Sequence, residues 1–226
     1  MRPSRVVAII PAAGYGKRLG VKTKKPLILL HGKPLVSYAL TTLNSCKCID
    51  GIIIASERSC VKRLKEIAKR FKINKLIDVV VGGKTRFESV RNCMKRVDPS
   101  FDIVIIHDAA RPLVDKETVE RAIRAAQDFG SCIVGVAEND TVKLAGSDLF
   151  IKGTLDRNKI FRAQTPQAFR RGIIKKAYSA GAVGATDDSS LVEAIGGRVK
   201  IVEGSHRNLK ITTKEDMKIA EALLCE

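Results

Sequence analysis

Tryptophan is absent from this chain, and aromatic residues together make up only 4 % of it. Bases therefore have little to stack on, which argues against a platform for single-stranded nucleic acid. No run of about 18 uninterrupted apolar residues occurs, so a membrane-spanning helix is excluded. The start, Met1 to Ile10, is apolar over too short a stretch for a signal peptide before Pro11 and Gly14 break it, and the expected compartment is the cytoplasm. Zinc-type cysteine pairing is also missing. The six cysteines, Cys46, Cys48, Cys60, Cys93, Cys132 and Cys225, form no CxxC pair and read as reduced, mostly buried small residues; Cys46-Lys47-Cys48 is close but wrongly spaced for a zinc knuckle.

Positive charge is plentiful. Forty-one basic residues stand against 24 acidic ones, a net charge of +17 that asks for an anionic partner, either nucleic acid or a polyphosphate nucleotide. No basic stripe runs unbroken by acids, and much of the lysine reads as solubilising surface. The cations that carry chemistry are expected in the glycine-rich turns.

With 226 residues, 45 % of them hydrophobic, the chain can close one core, and a single domain over 1–226 is expected. Six β-branched runs read as strands: Val6–Ile10, Gly51–Ala55, Leu76–Val81, Asp102–Ile106, Cys132–Val136 and Val199–Val202. Amphipathic stretches read as helices over Leu35–Ser45, Ser59–Phe71, Phe87–Arg96, Lys116–Phe129, Gly172–Gly181, Ser189–Ile195 and Lys214–Cys225. Alternating strands and helices with near-continuous apolar strands predict an α/β fold, a doubly wound, mostly parallel open sheet of Rossmann-like type. Residues 138–162 break the rhythm with turn signals at Asn139-Asp140, Gly146-Ser147 and Gly153, and predict a protruding β-hairpin arm that packs on a second subunit.

Open sheets of this kind bind ligands beyond the carboxyl ends of their strands. Three loops at such ends stand out: Ala12–Lys25, Gly82–Arg86 and His107–Pro112. In the first, Pro11-Ala12-Ala13-Gly14-Tyr15-Gly16 brings small residues where backbone can approach a ligand, and Lys17, Arg18, Lys22, Lys24 and Lys25 follow as neutralising charge. It is neither a P-loop, since no Gly-Lys-Ser/Thr follows, nor a dinucleotide fingerprint, which would need glycine at Leu19. Asp108, at a strand end between His107 and the small Ala109 and Ala110, suits a carboxylate facing a nucleotide and Mg²⁺. His107 reads as packed.

Pro11 to Arg18 followed by Lys25-Pro26-Leu27 resembles the opening of the 2-C-methyl-D-erythritol 4-phosphate cytidylyltransferases. His107–Pro112, Asp140–Lys143, Asp156–Asn158, Gln164–Gln167, Thr186–Asp188 and Asn208–Thr212 fall in that family's order and spacing, over nearly the whole chain. The resemblance implies CMP transfer from CTP to a sugar-alcohol phosphate with Mg²⁺ as cofactor. It assigns Arg18, Lys25, Arg157 and Lys210 to catalysis. It puts the nucleotide on Pro11, Ala12, Ala13, Gly14, Gly16, Gly82, Gly83, Ser89, Asp108 and Ala109, and the metal on Asp108. The acceptor falls to Arg111, Thr141, Arg157, Thr165, Thr186, Asp187 and Lys210. It further implies a homodimer whose arm completes the neighbour's site. Lys84, where many relatives carry an acid, and Pro26, where glutamine is usual, depart from the pattern. Thr186–Ser189 reads equally as a helix N-cap, and Thr213 as another. The rival readings are a ribitol 5-phosphate cytidylyltransferase, a basic nucleic-acid-binding protein, and a sugar-nucleotide-binding regulator without activity.

Overall fold

The computed structural model describes residues 3–14, 24–181 and 185–225. In chain order its elements begin with β1 (Val6–Ala12), β2 (Leu29–Leu30), β3 (Lys33–Pro34), α1 (Leu35–Ser45), β4 (Gly51–Ser56), α2 (Val61–Arg70), β5 (Leu76–Val81) and α3 (Arg86–Met94). They continue with β6 (Ile103–Ile106), α4 (Lys116–Phe129), β7 (Ser131–Ala137), β8 (Lys143–Ala145), β9 (Ile151–Thr154) and β10 (Phe161–Arg170). The last four are α5 (Arg171–Ala180), α6 (Asp188–Ala194), β11 (Lys200–Glu203) and α7 (Lys214–Leu224).

Successive side chains of a strand point to opposite faces, and β1 shows what each face buries. Val6, Ala8, Ile10 and Ala12 join one apolar cluster, with Leu40 of α1, Leu64 of α2 and Val119 of α4. Val7 and Ile9 join the other, with Val90 of α3, Ile174 of α5 and Leu191 of α6. A strand covered on both sides has no use for alternation, which is why β1, β4 and β6 read as continuous apolar runs.

The main sheet has seven strands in the order β11-β7-β10-β6-β1-β4-β5. β1 lies parallel to β4 and β6, β4 to β5, and β7 to β11, while β10 runs antiparallel between β6 and β7. The doubly wound, mostly parallel architecture is therefore present. The strand β10 is absent from the sequence reading, for a physical reason. Gln164, Thr165 and Gln167 are polar, and Pro166 removes a ladder donor, so the stretch lacks a strand's apolar signature. Its register shifts between Gln164 and Gln167, and its buried polar groups find partners. Gln164 Nε2 donates to the Ser205 carbonyl, and Gln167 Nε2 donates to Asp187. All predicted helix ends fall within two residues of the observed ones, and at the start of α2 a 3₁₀ turn at Arg58–Cys60 precedes the helix.

Within 138–162, β8 and β9 pair antiparallel, Lys143 opposite Thr154, as a two-stranded sheet of their own. A third apolar cluster joins Leu30, Leu35, Ile211 and Ala220. It seats α7 and pins the 208–212 segment, whose Ile211 N–H donates to the Ala110 carbonyl at 2.9 Å.

Candidate active site

The carboxyl ends of β1, β5 and β6 surround a cavity of about 220 Å³. Pro11, Ala12, Ala13 and Gly14 form one wall, and Gly83, Lys84, Thr85, Arg86 and Ser89 a second. Asp108, Ala109 and Ala110 form a third, with Lys25, Pro26 and Lys210 closing the rim.

Each wall is built by local rules. Lys25–Leu27 is a single 3₁₀ turn with Pro26 at its start, and the neighbouring Lys24 Nζ lies 2.7 Å from Glu57 Oε2, tying this turn to the end of β4. Residues 85–88 form a capping box: Thr85 Oγ1 accepts from Glu88 N, and the Glu88 carboxylate accepts from Thr85 N and, at 2.6 Å, from Lys84 N. A Cβ on Gly83 would fall 2.2 Å from Glu88 Cβ, so only glycine fits there, and the backbone lies bare toward the cavity. Ser89 Oγ accepts from Gly83 N and donates to the Thr85 carbonyl, fixing the turn.

Asp108 is 7 % exposed and, among the described residues, is the single carboxylate of the lining. Its Oδ2 lies 2.7 Å from Lys210 Nζ, and its Oδ1 accepts from Arg86 Nε at 3.1 Å. Burial alone would push its pKa up, but the charges of Arg86 and Lys210 outweigh that and hold it below the usual carboxylate range. Behind it, Asp108 N donates to Thr165 Oγ1. His107 is fully buried, which lowers its pKa to about 4, so the ring is neutral. Its Nε2 lies 3.1 Å from the Arg111 carbonyl, which can only accept, and its Nδ1 is thereby left to accept from Thr165 Oγ1. His107 is packed, as its sequence context suggested.

Among the described residues the lining sets Lys25, Lys84, Arg86 and Lys210 against one aspartate, four cations to one anion. At close range in a partly desolvated cleft such an excess favours a polyanion.

The structure brings together Pro11 to Gly14, Lys25, Gly83, Ser89, Asp108, Ala109 and Lys210. Gly82 sits one step behind, where an added Cβ would meet Ser89 Oγ at 2.8 Å and Ala13 Cβ at 2.9 Å. Arg111 is buried outside the lining, donating to the Asn208 carbonyl at 2.6 Å, and Thr165 lies behind Asp108. Asp187 caps α6 and Thr186 N donates to Ser190 Oγ, both away from the lining. Thr141 and Arg157 are exposed in the hairpin segment, with Arg157 donating to the Asn139 carbonyl. Gly16 and Arg18 lie outside the described residues. Sequence reasoning missed Arg86, whose partners lie 22 and 102 positions away. A local signal existed in Thr85-x-x-Glu88, a capping-box pattern that places Arg86 at the first helical position.

The family model for IspD, 2-C-methyl-D-erythritol 4-phosphate cytidylyltransferase, matches residues 6–226. This chain belongs to that family. A relative from Clostridium acetobutylicum bearing that name is 41 % identical over 221 residues, covering 96 % of both chains. One from Syntrophus aciditrophicus is 42 % identical over 228 residues, covering 99 % of this chain and 97 % of its own. The crystal structure of the 4-diphosphocytidyl-2C-methyl-D-erythritol synthase from Anaerococcus prevotii superposes with a TM-score of 0.88 at 31 % identity, covering all of both chains. As a member of the IspD family, the chain presents its cavity at the strand ends where an open α/β sheet binds ligands.

Proposed function

We propose that this chain transfers CMP from CTP to 2-C-methyl-D-erythritol 4-phosphate, forming 4-diphosphocytidyl-2-C-methyl-D-erythritol and pyrophosphate, a step in isoprenoid precursor synthesis. The observation that carries the reading, given the family, is the four-to-one excess of cations around Asp108 among the described residues of the cleft at the strand ends. An acceptor phosphate oxygen attacks the α-phosphorus of CTP as the bond to the β-phosphate oxygen breaks, and pyrophosphate leaves. Two anions must meet, so catalysis is positioning and charge neutralisation. Lys25 and Arg18 are assigned to the triphosphate and Lys210 to the charge that develops at the α-phosphate. Backbone groups of Ala12 to Gly14 and of Gly82-Gly83, with Ser89, are assigned to the nucleotide.

Mg²⁺ fits this donor set in one manner. With both Asp108 oxygens already accepting from cations, the carboxylate suits an ion delivered on the triphosphate and held directly or through water, a common arrangement for magnesium. When bound, such an ion would supply charge neutralisation and lower the repulsion between phosphates, with Asp108 as the residue that would hold it.

Arg157 and Thr141 are assigned to the acceptor across a homodimer. The hairpin carries Leu149, Phe150 and Ile151 at 85, 76 and 64 % exposure, an apolar tip suited to a second subunit. Among the described residues no helix is long and apolar enough to cross a membrane, and the proposed compartment is the cytoplasm.

Pyrophosphate release from CTP and Mg²⁺, measured with methylerythritol phosphate and separately with ribitol 5-phosphate, tests the reading. Turnover with the first alone is expected. Turnover with the second alone would move the chain to pentitol phosphates, and silence with both would sink the transferase reading.

A further inference from the structure

Asp188 is a charge without an evident reason. Its side chain is wholly buried, and an isolated carboxylate there would be costly. Its Oδ2 lies 2.7 Å from an Arg86 terminal nitrogen, and its Oδ1 accepts from the Tyr178 hydroxyl. Tyr178 in turn stacks on Phe87, ring centroids 4.9 Å apart and 17° from parallel. Two consecutive residues at the start of α3 thus clamp α5 and α6, and the Nε of the same guanidinium grips Asp108 in the cavity. The planar fork of arginine can hold two carboxylates in a fixed relation, which a lysine's single ammonium cannot reproduce. One residue earlier, the N-cap Asp187 accepts from Gln167 Nε2 at 2.7 Å, so this helix start is fixed from two sides.

We propose that Arg86 is a positioning residue that ties the nucleotide cavity to the start of α6, setting the Thr186–Asp187 turn relative to Asp108 and thereby the placement of the acceptor. The proposal rests on the transferase reading above, together with the family resemblance that assigns Thr186 and Asp187 to the acceptor. Its signature is a selective one. Loosening the Arg86 to Asp188 link moves the α6 turn while leaving Gly83, Ser89 and the capping box in place, so acceptor use suffers and nucleotide binding does not.

Asp188→Asn, which changes no lining residue, tests this with least disturbance. The Michaelis constant for methylerythritol phosphate should rise by about tenfold, and the CTP dissociation constant should stay within about twofold. Arg86→Gln should give a similar acceptor defect, and the double variant should be scarcely worse than either single one, as expected of residues acting as a unit. Arg86→Lys should recover only part of the defect. A fall in kcat that merely tracks the folded fraction, with both Michaelis constants unchanged, would overturn the proposal, as would an Arg86→Lys enzyme indistinguishable from wild type. Should the wild type show no turnover, the transferase reading fails by itself. The link is then read from thermal protection: methylerythritol phosphate should protect wild type more than Asp188→Asn while CTP protects both equally, and equal protection by both would overturn it.

Discussion

The cavity wall and the 138–162 hairpin solve opposite problems. In the wall, charges are buried and spoken for: Asp108 between Arg86 and Lys210, Asp188 between Arg86 and Tyr178, His107 neutral between a carbonyl and a hydroxyl. In the hairpin, apolar side chains stand in solvent, and Arg157 holds the Asn139 carbonyl. Among the described residues the wall pairs its buried charges within one chain, whereas the hairpin leaves apolar side chains exposed, the surface proposed above for a second subunit. Substitutions in the wall should therefore alter chemistry or pH behaviour without altering assembly, and substitutions in the hairpin should do the reverse.

The largest effect should come from the rim of the wall. Lys25→Ala and Lys210→Ala should each lower kcat by about 10²–10³ while CTP affinity changes little, because their contacts strengthen as charge builds at the phosphoryl centre. Steady-state kinetics paired with CTP titration separates the two quantities. A defect confined to CTP affinity would remove these lysines from the transition state.

Next come the hairpin variants. Phe150→Asp with Leu149→Asp places charge on the exposed apolar tip and should convert the proposed dimer to monomer by sedimentation, with unchanged far-UV circular dichroism. Activity should fall with the dimer if Arg157 serves the neighbouring cavity. Mixing Arg157→Ala with Lys25→Ala chains should then restore part of the activity, since one site of each hybrid regains both residues. A strictly additive mixture would return the whole site to one chain.

How much of this was legible beforehand depended on whether the signal was local. The strands β1, β4, β5 and β6, the helix limits at Leu35–Ser45 and Lys116–Phe129, and the caps at Thr213 and Asp187 follow from apolar runs and short-range chemistry visible in a few residues. Lys25, Asp108 and Lys210 were legible through family motifs, and the structure brings them into one cavity. β10 was hidden because its buried polar Gln164, Thr165 and Gln167 replace the apolar pattern that would have marked a strand; their partners come from 205, 107 and 187, distances that periodicity cannot see. Arg86 was hidden likewise: nothing near it in sequence shows that Asp108 and Asp188 converge on it.

The smallest expected effect sharpens the contrast through protons. His107 keeps a folded pKa of about 4 through burial, against 6.5 when unfolded. Its folded value is depressed, so between these limits the unfolded chain binds the extra proton, and stability falls as pH drops through that window. Fully expressed, the shift corresponds to about 3 kcal/mol lost between pH 6.5 and 4, with no contribution from this group above that range. Urea unfolding at a series of pH values should show the slope in wild type. His107→Gln should be less stable at pH 7, because the carbonyl and hydroxyl it bridges lose good geometry, yet its stability should decline less steeply toward acid. The hairpin variants, which touch no buried titratable group of the wall, should keep the wild-type slope unchanged. If His107→Gln kept it too, the acid sensitivity would lie elsewhere, and the neutral buried imidazole would have to be dropped from the account of the wall.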